Sequence, residues 1–333
     1  MKKEKIWKKG LAVLLCAASL LGAGLFTACS SDDDESSENP STSGGSGPAS
    51  GKKDEEKSYG SGNASGNAEV DASLTDGIYL IHGTEKSKKN SIKDALAAIP
   101  STAAETDTYV IQLPAGTYNE NALRYTANAN LVIIGNTEKE FGSDVIIAGK
   151  GSSQASMDSR CLFSVTGSAN LTLKNVTFKN IVKRSEVTET NSSGSKLTQA
   201  EAISFFSTGK LAAYNSGFFG HQDTIYTRGK CWFYKCYVEG DVDFIWMSGK
   251  DAIVALYEDC TIKMTAEESP SAAYVAAPGL DTSNGFAGKG VVIMNSKVIA
   301  DSGLNGKAYL TRSPWANGCL SQVSYATLNL KEL

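Results

Sequence analysis

One local pattern returns five times along the chain: an apolar residue, any residue, a polar one, a small one, any residue, and an apolar one. The copies run over 173–178, 213–218, 233–238, 257–262 and 293–298. Their polar members, Asn175, Asn215, Lys235, Asp259 and Asn295, lie 40, 20, 24 and 36 positions apart. A period of about 20 to 25 residues, lengthened where loops intrude, belongs to a solenoid in which each turn covers the apolar face of the last. The pattern therefore predicts an all-β chain wound as a parallel β-helix. A sandwich or a propeller would instead need antiparallel hairpins with Asn-Gly or Asp-Gly turns, and few such turns are present.

The flanking sequence agrees with this reading. Ile78 to Ile81 forms an apolar run of strand character, and Ile92, Ala95, Leu96 and Ile99 then recur at helical spacing before Pro100. A short N-terminal helix over 91–99 is expected, with short apolar strands after it at 109–113, 131–134, 145–148 and 161–165. No second helix is expected. If successive copies stack, Cys236 and Cys260 fall in neighbouring coils, where buried free thiols are favoured over a disulfide.

The first 72 residues have a different composition. Lys2, Lys3, Lys5, Lys8 and Lys9 precede an apolar run from Leu11 to Phe26, and small residues stand just before Cys29. That order reads as an export signal over 1–28, because the apolar run is too short to span a membrane comfortably. Phe26-Thr27-Ala28-Cys29 resembles the lipobox of bacterial lipoproteins, which makes Cys29 the expected lipid attachment site at the start of the mature protein. Residues 29–72 then read as a flexible, acidic, Ser- and Gly-rich tether, and 73–333 as the folded domain. The expected location is the bacterial cell envelope, lipid-anchored at the outer membrane or cell surface.

Charge and cysteine count narrow the function. The formal charge is −4, and removal of 1–28, with five Lys and one Glu, brings it to −8. Residues 30–72 hold ten acids against three Lys, so most of the excess is in the tether. The 261 residues of the domain carry 24 basic and 25 acidic groups, a balance that offers no field to gather nucleic acid. Two His exclude a three-His metal centre, and the five Cys left after Cys16 and Cys29 show no zinc-binding spacing. No metal and no organic cofactor are expected.

Two segments are richer in acids, aromatics and Gly than structure alone requires, 220–226 (GHQDTIY) and 239–246 (EGDVDFIW). Their Asp223 and Asp243 are 20 positions apart, one repeat length. Stacked coils would bring their backbones within about 4.8 Å. Two carboxylates that close do not ionise freely together, so one becomes a nucleophile and the other an acid. Taken singly, each is an ordinary turn Asp bonding local backbone.

On these residues the chain resembles the pectin methylesterases, the pectinesterase family of carbohydrate esterases, from about Ile78 to Trp315. Residues 114–120 (PAGTYNE) are similar to the family's Pro-Gly-x-Tyr-x-Glu, and 199–203 (QAEAI) to its Gln-Ala-Val-Ala-Leu. GHQDTIY resembles Gly-Tyr-Gln-Asp-Thr-Leu-Tyr, EGDVDFIW resembles Glu-Gly-Thr-Val-Asp-Phe-Ile-Phe, and 309–315 (YLTRSPW) resembles Tyr-Leu-Gly-Arg-Pro-Trp. The resemblance implies a single-stranded, right-handed parallel β-helix, the pectin-lyase-like solenoid, and the hydrolysis of galacturonate methyl esters in pectin. It makes Asp243 the nucleophile, Asp223 the general acid and base, Gln222 and Gln199 the oxyanion donors, and Arg312 the partner of Asp243. Trp315 and Trp246 are the candidates for stacking on sugar rings. Pectin is the expected partner, besides the membrane reached through the lipid anchor, and the domain is expected to be a monomer.

Departures from the family pattern set an alternative beside this reading. Ser313 is inserted between Arg312 and Pro314, His221 replaces an aromatic, Met247 replaces a Gly, and Asp241 adds a charge near Asp243 that would raise its pKa unless Arg312 offsets it. The chain ends 18 residues after Trp315, with one further strand expected over 323–330, so the domain reads as shortened at its C-terminal end. The alternative is a catalytically weak or inactive β-helix that binds pectic polysaccharide. The calcium site of a pectate lyase, the differently spaced Asp residues of a polygalacturonase and a Gly-x-Ser-x-Gly elbow are not evident.

Overall fold

The computed structural model describes residues 69–249, 253–281, 290–312, 319–320 and 323–331. The export signal, Cys29, nearly all of the tether, and Trp315 lie outside these residues. No described helix is long and apolar enough to cross a membrane.

The chain winds through three sheets in turn. In the first complete coil, Thr108–Leu113 lies in the first sheet, Gly116–Asn119 in the second and Leu123–Tyr125 in the third. Each later coil repeats that order, and its strands pair in parallel with those of the coils before and after, while Cys319–Leu320, off this path, pairs antiparallel with the end of Ala273–Asp281. This is the expected parallel β-helix. Two antiparallel strands, Ile78–His82 and Glu85–Lys89, extend the first sheet at its N-terminal edge.

The register explains the repeat. Leu173, Ala213, Phe233, Tyr257 and Ile293 are successive partners in the first sheet and face inward. The 40 positions from Asn175 to Asn215 hide no missing copy: Leu171 pairs directly with Leu211, and the extra residues form a loop before Ile203–Phe205. Inside the coils, rings follow one another along the axis. Phe163 stacks on Phe178 at 5.4 Å, Phe178 on Phe218 at 6.2 Å, and Phe233 on Tyr257 at 4.5 Å. Cys236 and Cys260 are buried free thiols in neighbouring coils, as are Cys161 and Cys231 elsewhere in the interior.

The polar member of each copy makes the corner between the first and second sheets. Asn175, Asn215, Lys235, Asp259 and Asn295 have φ of 55°, 44°, 51°, 52° and 50°. A left-handed residue costs a side-chain-bearing position about 1–2 kcal/mol, least for Asn and Asp, which bond locally. Asn215 shows the compensation: its Nδ2 donates to Asn175 Oδ1 (2.8 Å) and Lys139 O (2.9 Å), and its Oδ1 accepts from Phe141 N (2.7 Å). Thr327, φ 51°, makes a sixth corner. It splits the single strand expected over 323–330 into Val323–Ala326 and Asn329–Lys331, each paired with the coil before.

The helix α1 (Ile92–Ala97) is the one the periodicity predicts, slightly shorter, with Ser91 Oγ accepting from Asp94 N at 2.9 Å. It buries Ile92, Ala95 and Leu96, and Glu120 Oε1 accepts from Ile92 N at 2.7 Å. Glu120 of the PAGTYNE segment therefore ties the helix to the first coil. A four-residue helix α2 (Met157–Arg160) also forms, against expectation. It is too short to show apolar periodicity, and Ser156 and Ser159 close it through a capping box.

Asn215→Val places a β-branched side chain at φ 44° and removes three hydrogen bonds, which should cost about 2–4 kcal/mol. Asn215→Gly keeps the turn and should cost less; urea unfolding of the two variants beside the parent measures the difference.

Candidate active site

The corners between the second and third sheets carry the candidate residues. Gly217–Phe219 leads through His221, Gln222 and Asp223 into Ile225–Thr227, and Tyr237–Gly240 leads through Asp241 and Asp243 into Ile245–Gly249. Ile225 pairs with Ile245, so Asp223 and Asp243 occupy equivalent places on adjacent coils. Asp223 N donates to Val242 O at 3.0 Å across that step. Both are left-handed, with φ of 61° and 54°, and only 5% and 8% exposed. Gln199 bridges in parallel to Gln222, one coil further back. Four of the five expected catalytic residues thus stand in one row on three successive coils.

The fifth arrives from further along the chain. Arg312 follows Ala308–Thr311 in the third sheet, and its backbone N donates to Ala276 O at 2.9 Å. Its Nη1 donates to Asp243 Oδ2, and its guanidinium lies 5.5 Å from the centre of the Tyr274 ring. Asp243 Oδ1 is buried with no hydrogen-bond partner among the described residues. One oxygen of Asp243 is therefore held by a permanent cation while the other is uncommitted.

The two amides are half-buried and fixed unequally. Thr198 Oγ1 donates to Gln222 Oε1 at 2.7 Å, which orients the amide and leaves its NH2 as the free end. Trp246 follows Asp243 on the outer face of the third sheet, stacked on Tyr226 at 3.8 Å. It is half-buried, so its ring is part of an aromatic ladder that also lies beside the site. Met247, at the position of a family Gly, faces the core and is fully buried.

Three residues with roles here carry no motif that marks them. Thr198 is one, and the others are Arg160 and Glu201. Arg160 Nε lies 3.0 Å from each Glu201 carboxylate oxygen, and its Nη2 lies 2.6 Å from Glu201 Oε1 and 3.4 Å from Asp223 Oδ2. Glu201 is wholly buried, on the strand side of Gln199, and its partner comes from 41 positions earlier. The one available signal is that QAEAI has Glu where the family sequence has Val.

Electrostatics divide the two Asp carboxyls. Burial raises Asp223 well above the ordinary carboxylate value of 3.8; Glu201 adds to this, Arg160 opposes it, Asp243 raises it again and Arg312 opposes. Burial also raises Asp243, but there Arg312 pulls back through both its charge and its hydrogen bond. Asp241 raises Asp243 in the expected sense, as the last of the four causes. Its own charge is met by Arg184 Nη2 at 2.9 Å, and His221 Nδ1 lies 3.6 Å away. Asp241 and Asp243 both lie in the turn before Ile245–Gly249 rather than in a strand. Among the described residues no group of three or more His, Cys, Asp or Glu is placed to hold a metal ion.

An acid whose folded pKa is raised binds more protons folded than unfolded once the pH exceeds its unfolded value. Stability is then lost as pH climbs from about 3.8 through the folded value. Asp223→Asn removes this cost and still accepts from Arg160. It should raise Tm by a few degrees near neutral pH, with the gain vanishing below pH 4, in melts of variant and parent across pH.

Comparison with known proteins agrees with this architecture. The sequence model of the pectinesterase family matches residues 80–328. Pectinesterase 14 of Arabidopsis thaliana is 30% identical over 211 residues, covering 62% of this chain and 57% of the relative. Pectinesterase 55 of the same plant is 29% identical over 232 residues, 67% of this chain and 62% of the relative. The matched region thus spans about three-fifths of these relatives. A crystal structure of a pectin methylesterase variant in complex with a hexasaccharide superposes with a TM-score of 0.57 at 23% identity, covering 73% of this chain and 75% of that one, and so shares the fold. With residues 80–328 of its 333 matched by the family's sequence model, the chain belongs to the pectinesterase family.

Proposed function

We propose that the chain hydrolyses methyl esters of galacturonate units in pectin, releasing methanol and leaving free carboxylates on the polymer. The observation that carries this is the asymmetry of Asp243, with Oδ2 bound by Arg312 and Oδ1 buried and unpartnered among the described residues, beside a second, protonatable carboxyl.

In this reading Asp243 Oδ1 attacks the ester carbonyl carbon, and the carbonyl pair moves onto oxygen. The resulting oxyanion is met by the NH2 groups of Gln222 and Gln199. When the tetrahedral intermediate collapses, the bond to the methoxy oxygen breaks and Asp223 supplies the proton that makes methanol. An anhydride of Asp243 and the galacturonate carboxyl remains. Asp223, now ionised, takes a proton from water as that water adds to the galacturonate carbonyl. Collapse then returns Asp243 as a carboxylate beside Arg312. Trp246 and Trp315 stack on neighbouring sugars, and lipid at Cys29 tethers the domain to the cell envelope.

Methanol release from highly methylated pectin by the full chain tests the reading directly. Asp243→Ala should abolish turnover while leaving pectin binding largely intact, and Gln222→Ala should lower kcat by roughly 10²-fold. A folded parent that binds pectin but releases no methanol would sink the reading and leave a pectin-binding β-helix. The rate should fall at acid pH as Asp243 takes up a proton and at alkaline pH as Asp223 loses one.

A further inference from the structure

The pair Arg160–Glu201 is unusual for a structural ion pair. Glu201 is 0% exposed and Arg160 8%, and three contacts between 2.6 and 3.0 Å join them. Taking both charges out of water is costly, and apolar residues of similar volume serve stability as well or better. Among the described residues the pair has one other charged contact, Arg160 Nη2 to Asp223 Oδ2 at 3.4 Å.

We propose that Arg160 and Glu201 are positioning residues for Asp223: Arg160 dictates which carboxyl oxygen carries the transferable proton, and Glu201 cancels the guanidinium charge that would otherwise draw that proton away. The inference rests on Asp223 being the acid and base of the proposed reaction. A guanidinium donates only, so Asp223 Oδ2 accepts from it and the proton is left to Oδ1. An unaccompanied Arg at that distance would favour the ionised carboxylate. With Glu201 held on its Nε and Nη2, the Arg contributes orientation with little net charge.

The charged groups facing Asp223 are Glu201 and Arg160 from earlier coils and Asp243 and Arg312 from later ones. Arg124 also acts on Glu201, and His221, Asp241 and Arg184 form their own cluster beside the adjoining turns. Glu201 raises Asp223 while Arg160 lowers it, so removing Glu201 alone leaves the lowering partner uncompensated. An orienting pair of this kind would let one Asp remain a proton donor although a second carboxylate and two arginines stand around it.

The test compares the full-length parent with Glu201→Gln, Glu201→Asp and the double variant Arg160→Met/Glu201→Val. Aspartate labelled with ¹³C at the carboxyl is titrated by NMR, with the Asp223 signal assigned by Asp223→Asn. In Glu201→Gln the Asp223 midpoint should move to lower pH. The alkaline limb of kcat/KM should move with it, giving roughly a tenfold loss above the parent's optimum and little change in KM. Glu201→Asp keeps the charge and should retain the parent profile.

The double variant removes both charges. It should keep its midpoint near the parent's but lose kcat several-fold, because the proton is no longer confined to one oxygen. A folded Glu201→Gln with an unmoved Asp223 midpoint overturns the proposal. If that variant does not fold, a double variant with undiminished kcat overturns it instead. The NMR titration needs no turnover, so an inactive parent sinks the esterase reading while the effect of Glu201 on Asp223 is still read.

Discussion

Parallel coils can stack only if every coil turns at the same places, and a tight turn between sheets needs a residue with left-handed backbone. At the corner between the first and second sheets that residue is Asn175, Asn215, Lys235, Asp259, Asn295 and Thr327 in successive coils. At the next corner it is Asp223 and then Asp243. Asn and Asp take this conformation at least cost because their short polar side chains bond locally. The same backbone requirement that makes a stackable corner thus places two carboxyls in register. The plain reading of each residue as a turn Asp and the chemical reading of the pair are both true, and the second grows out of the first.

Once the carboxyls are in register, burial and two arginines distinguish them. Arg312 is committed to Asp243, so its charge works directly against the effect of burial there. Arg160 is committed first to Glu201 and reaches Asp223 only at 3.4 Å. Two Asp residues on equivalent corners therefore meet different fields. The difference comes from burial, from Glu201 beside Asp223 and from what each guanidinium is already bonded to, with Asp241 adding a smaller effect at Asp243.

The repeat, the short helix before Pro100 and the register of Asp223 with Asp243 were legible because each is set by local periodicity or by spacing of one coil, whereas Gln222 and Gln199 came only with the family resemblance. Interior thiols at Cys236 and Cys260 were legible for the same reason, since coil spacing puts small buried residues in line. The four-residue helix at Met157–Arg160 was not, because a single turn carries too few positions to show a period. The corner at Thr327 was missed because its flanks, Tyr325-Ala326 and Leu328-Asn329-Leu330, read as one apolar run.

By itself, the sequence determined that this chain coils and that Asp223 and Asp243 share a row, because both follow from one period repeated along the chain. Only the tertiary structure showed that Arg160 and Glu201 face Asp223, and it brings Arg312 onto Asp243, a pairing that the family resemblance implied and that no spacing along the chain did. Arg160 reaches Asp223 over 63 positions, and Arg312 reaches Asp243 over 69. Loops of unequal length separate them, so no spacing rule predicts the meeting. It depends on how each loop folds back onto the stack. Charge pairs weaken with separation and hydrogen bonds need direct contact, so the chemistry of the site is decided at that last step of packing.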